Sequence, residues 1–107
     1  MPKKALEILT ESMFYVLMAF SSGPKCGIEI VDFIEQKTKG SFQIGPATLY
    51  TLLAKFEKEK YIKEIEVDGR KRTYQITEKG QYAYRSEIER LKRCVQDAEK
   101  EGGFGNE

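Results

Sequence analysis

The chain has 107 residues, of which 40% are hydrophobic and 33% charged, and its formal net charge is +1. This length predicts one small domain of ordinary soluble composition, for which burial of a further apolar face in an oligomer is expected. No apolar run reaches the ~18 residues of a membrane span and no signal-peptide pattern opens the chain, so we expect a cytoplasmic protein without a membrane partner. Cys26 and Cys94 lack the spacing of a metal site or a disulfide framework.

Only the middle of the chain is net basic. Residues 40–80 carry eight cations and six anions, against five and five in residues 1–39 and five and six in residues 81–107. Three of these cations are consecutive, at Arg70, Lys71 and Arg72. A basic patch on a neutral body permits nucleic-acid binding without requiring it.

The first two predicted elements are helices. Apolar residues at three- and four-residue spacings predict a helix from Lys4 to about Phe20, which is apolar nearly all round in its second half. We expect that helix to pack against the core on one side and against a second subunit on the other. A second helix is predicted from Cys26 to Lys39 and ended by Gly40. Gly27 near its start is interpreted as a close approach to the first helix.

A third helix is predicted after Gly45, which suits an N-cap, and Pro46, which suits the first helical position. Its inner face has an apolar residue at every third or fourth position: Leu49, Leu52, Leu53 and Phe56. Its outer face has small, hydroxyl and cationic side chains and no carboxylate: Ala47, Thr51, Ala54, Lys55 and Lys58. In isolation this is an ordinary solvated amphipathic helix. After two helices and a short turn, it completes a helix-turn-helix arrangement.

A β-hairpin and a long helix complete the prediction. Alternation in Ile62–Val67 and Thr73–Ile76 around Asp68-Gly69 predicts two strands joined by a tight turn with a basic tip, which forms a wing. Thr77 is a good N-cap for a helix that runs towards Lys100, although Gly80 weakens its first turn. The last helix carries a heptad-like seam: Tyr84, Ile88, Leu91, Val95 and Ala98. We expect this seam to be the main homodimer interface.

The sequence therefore predicts a mainly α (α+β) fold. Residues 1–80 form a winged helix-turn-helix domain, residues 81–101 a C-terminal dimerisation helix in the same compact unit, and residues 102–107 a flexible tail.

Three motifs occur in this order along the chain. They are Gly23-Pro24 followed by Cys26-Gly27-Ile28-Glu29-Ile30, then Thr48-Leu49-Tyr50-x-Leu52-Leu53 with Phe56-Glu57, then Gly69-Arg70-x-Arg72-x-Tyr74-x-x-Thr77-x-x-Gly80. With the order of elements, they resemble the PadR family of winged-helix transcription regulators over about residues 6–90. The resemblance implies a bacterial, homodimeric repressor of the short single-domain type, which releases an operator in double-stranded DNA when an effector binds.

The expected DNA contacts lie on the third helix and the wing. Thr51 and Lys55 are expected at the base edges of the major groove, Thr48 and Gln43 near the helix start, and Arg70, Lys71 and Arg72 at the DNA backbone or minor groove. The resemblance also implies a phosphate contact for Tyr50, and the alternative is a tyrosine packed over the wing.

A small aromatic or lipophilic effector could lie near the subunit boundary. The polarizable side chains nearest to it are Phe14, Tyr15, Met18 and Tyr84, and plain interface core is the alternative reading of the same residues. Cys94 lies beside the seam, where it is either a redox-sensing thiol or an inert one.

Catalysis has no support in the sequence. The chain has no histidine, and no paired carboxylates, phosphate-binding loop or nucleophile motif indicate catalytic residues, a cofactor or a metal site. The alternative function is a winged-helix protein-interaction module without DNA binding, since fold alone does not determine function.

Overall fold

The computed structural model describes residues 8–102, in which four helices surround one small sheet. The element order is α1 (Glu11–Ser21), β1 (Lys25–Cys26), α2 (Gly27–Thr38), α3 (Pro46–Lys58), β2 (Ile62–Asp68), β3 (Lys71–Ile76) and α4 (Glu78–Lys100). The strands are antiparallel in the order β1-β3-β2. This architecture confirms the predicted winged helix-turn-helix fold with a long C-terminal helix. Within residues 8–102, no helix has both the length and the hydropathy to cross a membrane.

The core lies where α1, α2 and α3 meet the base of the wing. Each element contributes fully buried side chains, of which the largest are Tyr61, Phe20, Phe56, Leu17, Ile30, Ile34, Ile62 and Val16. These residues come from the three- and four-residue apolar spacings of the helices and from the first residues after α3. The core therefore fixes α3 against the sheet through its inner face and leaves its outer face free.

Helix α1 begins at Glu11, later than the apolar spacing predicts. Thr10 has extended backbone angles, and its hydroxyl accepts a hydrogen bond from the Met13 N–H at 3.1 Å. Residues 8–10 are not helical, so the prediction is wrong there, and residues 4–7 of the predicted helix lie outside the described part of the chain. Apolar spacing can continue across an N-cap and does not mark it. The start of the helix is set by Thr10, whose hydroxyl satisfies one of the first free N–H groups.

The strand β1 was not predicted. Lys25 and Cys26 pair with Tyr74 and Thr73 of β3, and α2 therefore begins at Gly27. The interpretation that Gly27 approaches the first helix is wrong. A Cβ atom on Gly27 would lie 3.6 Å from Cδ2 of Leu49, so its close neighbour is α3.

Helix α4 begins at its predicted cap and is locked to the residue that precedes the wing. The Thr77 hydroxyl accepts a hydrogen bond from the Gly80 N–H at 3.1 Å and donates one to the Lys60 carbonyl at 2.6 Å. A Cβ atom on Gly80 would collide with the backbone carbonyl oxygen of Tyr61. Gly80 has a low helix propensity, but its lack of a side chain allows α4 to pack on the sheet. Residues 103–107 of the predicted tail lie outside the described residues.

Candidate nucleic-acid interface

The outer face of α3 is exposed along its whole length. Gly45 caps the helix with extended backbone angles, and Pro46 occupies the first turn, as predicted. Every residue of the predicted outer face is solvent-exposed: Ala47, Thr51, Ala54, Lys55 and Lys58. The small side chains allow another surface to approach the helix closely, and the lysines supply positive charge on the same face.

The predicted contact residues on and before α3 are also exposed. Thr48, Tyr50, Thr51 and Lys55 project from the helix, and Gln43 lies in the connector that precedes it. The ring of Tyr50 is 64% exposed. Its hydroxyl would be 3.9 Å from a Cβ atom on Gly27, so this side chain extends towards the start of α2.

The wing carries three exposed cations at and beside its tip. Gly69 has φ 66°, which allows the tight turn between β2 and β3. Arg70, Lys71 and Arg72 are all exposed. Within residues 8–102, the only ion pair of this triplet within 4 Å joins Arg72 to Glu64, at 3.9 Å with both side chains partly solvated. These charges therefore remain available to an anionic partner.

A cleft of about 680 Å³ joins α3 to the wing and to the first turn of α2. Four predicted site residues line it: Tyr50, Arg70, Lys71 and Arg72. Gln43, Thr48, Thr51 and Lys55 do not line it, and they belong to the adjoining surface of α3 and its connector. The lining also contains Cys26 of β1 and three residues of the first turn of α2, none of which the sequence assigned to a site: Gly27, Ile28 and Glu29. Ile28 could have been noticed, because it is an isoleucine at a position that the helical spacing places outward.

Two ionisable groups in this cleft have shifted pKa values. The pKa of the Glu29 carboxyl is lowered, first by the hydrogen bond that it accepts from the Cys26 N–H at 2.9 Å and then by one from the Cys26 side chain. Lys71 and Lys25 lower it further through their charge. Burial raises the pKa of the Tyr74 hydroxyl. The lowered pKa favours the ionised form of Glu29 and the raised pKa favours the neutral form of Tyr74, in a cleft that is also lined by three basic side chains.

Three of the four residues assigned to an effector form ring contacts within the chain. Phe14 contacts Tyr84 at a ring-centroid distance of 5.4 Å and Tyr15 at 6.2 Å, and Tyr15 stacks on Phe42 at 5.2 Å. These rings and Met18 are half-buried. Of the four residues assigned to an effector, Phe14 lines a surface groove with a volume of about 620 Å³.

That groove runs along the seam of α4. Its remaining lining is Ile88, Leu91, Lys92, Val95 and Gln96. Leu91 is 37% and Val95 is 52% exposed, and every described residue from Leu91 to Gly102 is solvent-exposed in the protomer. On the same helix, the buried Glu87 carboxylate accepts hydrogen bonds from Arg90 at 2.6 and 3.0 Å, which neutralises a charge beside the apolar seam.

Comparison with known proteins agrees with this geometry. A family model described as the transcriptional regulator PadR-like family matches residues 16–86. A solved structure of a transcriptional regulator from Clostridium thermocellum superposes with a TM-score of 0.73 and 30% identity, covering 82% of this chain and 89% of that one. A Bacillus subtilis PadR structure in complex with operator DNA superposes with a TM-score of 0.64 and 17% identity, covering 72% of this chain and 46% of that one.

A curated relative from Lysinibacillus sphaericus, described as uncharacterised, is 39% identical over 66 residues, which is 58% of this chain. The match spans 60% of the length of that relative.

Proposed function

Because the chain belongs to the PadR-like family of transcriptional regulators, we propose that it is a homodimeric repressor that binds an operator in double-stranded DNA and releases it when an effector binds. The observation that carries this proposal is the surface formed by α3 and the wing. A helix face without carboxylates lies beside three exposed cations that are almost free of ion pairs. The B. subtilis structure, which has the same fold, is bound to operator DNA and supports the same partner for this chain.

The outer face of α3 enters the major groove in this proposal. Thr51 and Lys55 are central on that face and exposed, so they can donate hydrogen bonds to base edges. Thr48 and Gln43, at and before the start of the helix, lie where a phosphate would meet the free N–H groups of the first turn. The groups that read the base sequence are thus few and lie on a helix fixed by the core.

The wing and Tyr50 hold the DNA backbone. Cations near phosphates release condensed counterions, which strengthens binding to every sequence alike. Arg70, Lys71 and Arg72 supply this contribution, and the exposed Tyr50 hydroxyl donates to a phosphate beside them. The cleft that these four residues share makes them one contact region.

The proposed binding to an operator is supported by the possibility of dimerisation through α4. A protomer leaves Leu91 and Val95 in water beside a groove bordered by Phe14, and a second copy of the same seam would cover both. Two-fold symmetry then places the two α3 helices on half-sites about one helical turn, or a small multiple, apart. An effector of apolar or aromatic character is proposed to enter between the subunits at the Phe14 end of this groove, near Tyr84.

Binding assays with two sets of variants test the proposed DNA contacts. Arg70→Gln with Arg72→Gln should weaken binding to operator and scrambled duplexes equally and reduce the salt dependence by about one unit of slope per lost phosphate contact. Thr51→Ala with Lys55→Ala should cost roughly 1–3 kcal/mol on the operator and less on scrambled DNA.

The matched control removes two cations at the opposite end of α2. Lys37→Gln with Lys39→Gln changes the net charge as much as the wing variant does, and both lysines are exposed. It should leave both affinities nearly unchanged. If this control weakens binding as much as the wing variant, the contribution is a general charge effect. If none of the three double variants changes DNA binding, the DNA contacts lie elsewhere and this surface serves another partner. If the wild type binds no duplex DNA, the protein-interaction module becomes the better interpretation.

A further inference from the structure

The cleft between the wing and the start of α2 has the size of a small-molecule site. Its volume of about 680 Å³ lies within the roughly 300–1,000 Å³ of ligand pockets in proteins. One wall is the first turn of α2, the other is the base of the wing, and Leu53 and Tyr50 of α3 lie between them. Gly27 lies in the α2 wall and contributes no side chain to the cleft.

The walls of the cleft are mainly apolar, and part of this apolar surface is exposed to water. Ile28 is 75% and Tyr50 is 64% exposed, although both are large side chains that water solvates poorly. Leu53 and the buried ring of Tyr74 complete the apolar lining. An apolar body placed here would cover Ile28 and Tyr50 together.

The rim of the cleft is strongly asymmetric in charge. Three cations, Arg70, Lys71 and Arg72, lie on the wing side, and Glu29 lies on the α2 side. Glu29 is already engaged by the Cys26 N–H, and Arg72 is only loosely paired with Glu64. The free hydrogen-bonding capacity of the rim is therefore cationic and is concentrated on the wing.

We propose that this cleft binds an amphiphilic organic anion, with its acidic group on Arg70, Lys71 and Arg72 and its apolar body between Ile28 and Tyr50. Binding of the anion depends only on the cleft. Its effect on operator binding rests on the proposed function, because Tyr50 and the three cations are also the proposed phosphate contacts. The anion and the operator would then exclude each other directly, without any change at the subunit interface.

Naphthalene-2-sulfonate is a suitable probe, because it carries a permanent negative charge on a rigid apolar body. Amide chemical shifts of the full-length protein, titrated without DNA, should change in a saturable way around Gly27, Ile28, Tyr50 and Arg70. The uncharged analogue 2-naphthylmethanol and the cation 2-naphthylmethylammonium should bind at least severalfold more weakly. Equal affinity for the three compounds would overturn the proposal, and so would shifts confined to the groove at Leu91 and Val95.

Substitutions at the rim should act in opposite directions. Arg70→Gln should weaken the probe by about two- to fivefold, which is the size expected of one exposed charge contact. Glu29→Gln should strengthen it by a similar factor, because the amide oxygen can still accept from the Cys26 N–H while the repelling charge is gone. Binding through nonspecific apolar contact would respond to neither substitution.

The matched pair Ile28→Asp and Tyr82→Asp separates the cleft from the rest of the surface. Both residues are large, apolar and mostly exposed, at 75% and 67%, and Tyr82 lies outside the residues that line the cleft. Ile28→Asp should abolish saturable probe binding, and Tyr82→Asp should leave it intact. Retention of the wild-type dispersion of amide chemical shifts shows that either variant is folded. Loss of probe binding in both folded variants would overturn the proposal.

Competition with DNA distinguishes this inference from the proposed function. If operator DNA displaces the probe and the probe releases the operator, both stand. If the probe binds in the cleft and no duplex DNA binds to the protein, the proposed function fails and the site remains. If the operator binds and saturating probe leaves it bound, the proposed direct competition is wrong.

Discussion

The substitution Gly80→Ala tests how α4 is held on the winged helix-turn-helix fold. A Cβ atom at this position would lie 2.8 Å from Cγ1 of Ile76 and 3.0 Å from the carbonyl carbon of Tyr61, and closer still to the carbonyl oxygen. Carbon atoms pack best at about 3.5–4.0 Å. The Tyr61 carbonyl also accepts a hydrogen bond from the Thr77 N–H at 2.9 Å, and the Thr77 hydroxyl, which donates to the Lys60 carbonyl, lies 3.1 Å away. Relief of the overlap therefore requires backbone movement at the junction of the sheet and α4.

The expected magnitude is the difference between two opposing effects. Alanine favours a helix over glycine by about 1 kcal/mol. Overpacking costs about 1–3 kcal/mol, and weakening one hydrogen bond of the Tyr61 carbonyl about 0.5–1.5 kcal/mol more. The free energy of unfolding should thus fall by roughly 0.5–3.5 kcal/mol, which corresponds to a Tm lower by roughly 2–15 °C for a domain of this size.

Thermal unfolding followed by circular dichroism measures this effect. Protein concentration must be held constant, because the Tm of the proposed dimer would depend on it. Gly27→Ala is the matched control, since its Cβ atom would make ordinary contacts at 3.6 Å and 3.9 Å, and it should be neutral or stabilising by up to about 1 kcal/mol. A Gly80→Ala protein as stable as the wild type would refute the close packing of α4 on Tyr61.

Two further predictions concern the dimer and the acid sensitivity of the fold. Leu91→Asp with Val95→Asp should give monomers in light scattering that no longer bind an operator, because the seam would carry charge; a wild type that is itself monomeric at micromolar concentration would contradict the proposed dimer. The folded-state pKa of Glu29 is below its ordinary value of 4.5, so its contribution to stability is present above that pH and is lost as the pH falls through the lowered pKa. Glu29→Gln should therefore lose less stability than the wild type in urea unfolding between neutral and acid pH, and an identical loss would exclude this contribution.

Local signals along the chain were sufficient to predict most of the fold. Gly45 and Pro46 start α3, Asp68-Gly69 turns the hairpin, and Thr77 caps α4, and each acts within a few residues of itself. Helix caps and tight turns depend on short-range hydrogen bonds and backbone angles, which the residue types reveal directly. The exposed face of α3 follows from the same spacing that buries its inner face.

The tertiary structure decided which of these residues share a site. Cys26 pairs with Thr73 in the sheet, and this long-range contact brings the start of α2 beside the wing. No periodicity in either segment indicates that pairing, because strand β1 is too short to alternate. Ile28, Glu29 and the wing cations are therefore neighbours only in the folded chain.

Two glycines show most simply what the sequence determines and what the fold determines. In the sequence, Gly27 and Gly80 are two residues that weaken helices. In the fold, one lies against α3 at the edge of the cleft and the other against the carbonyl of Tyr61. Sequence determined that these positions lack side chains, and only the packing of distant segments determined what the missing side chains would have touched.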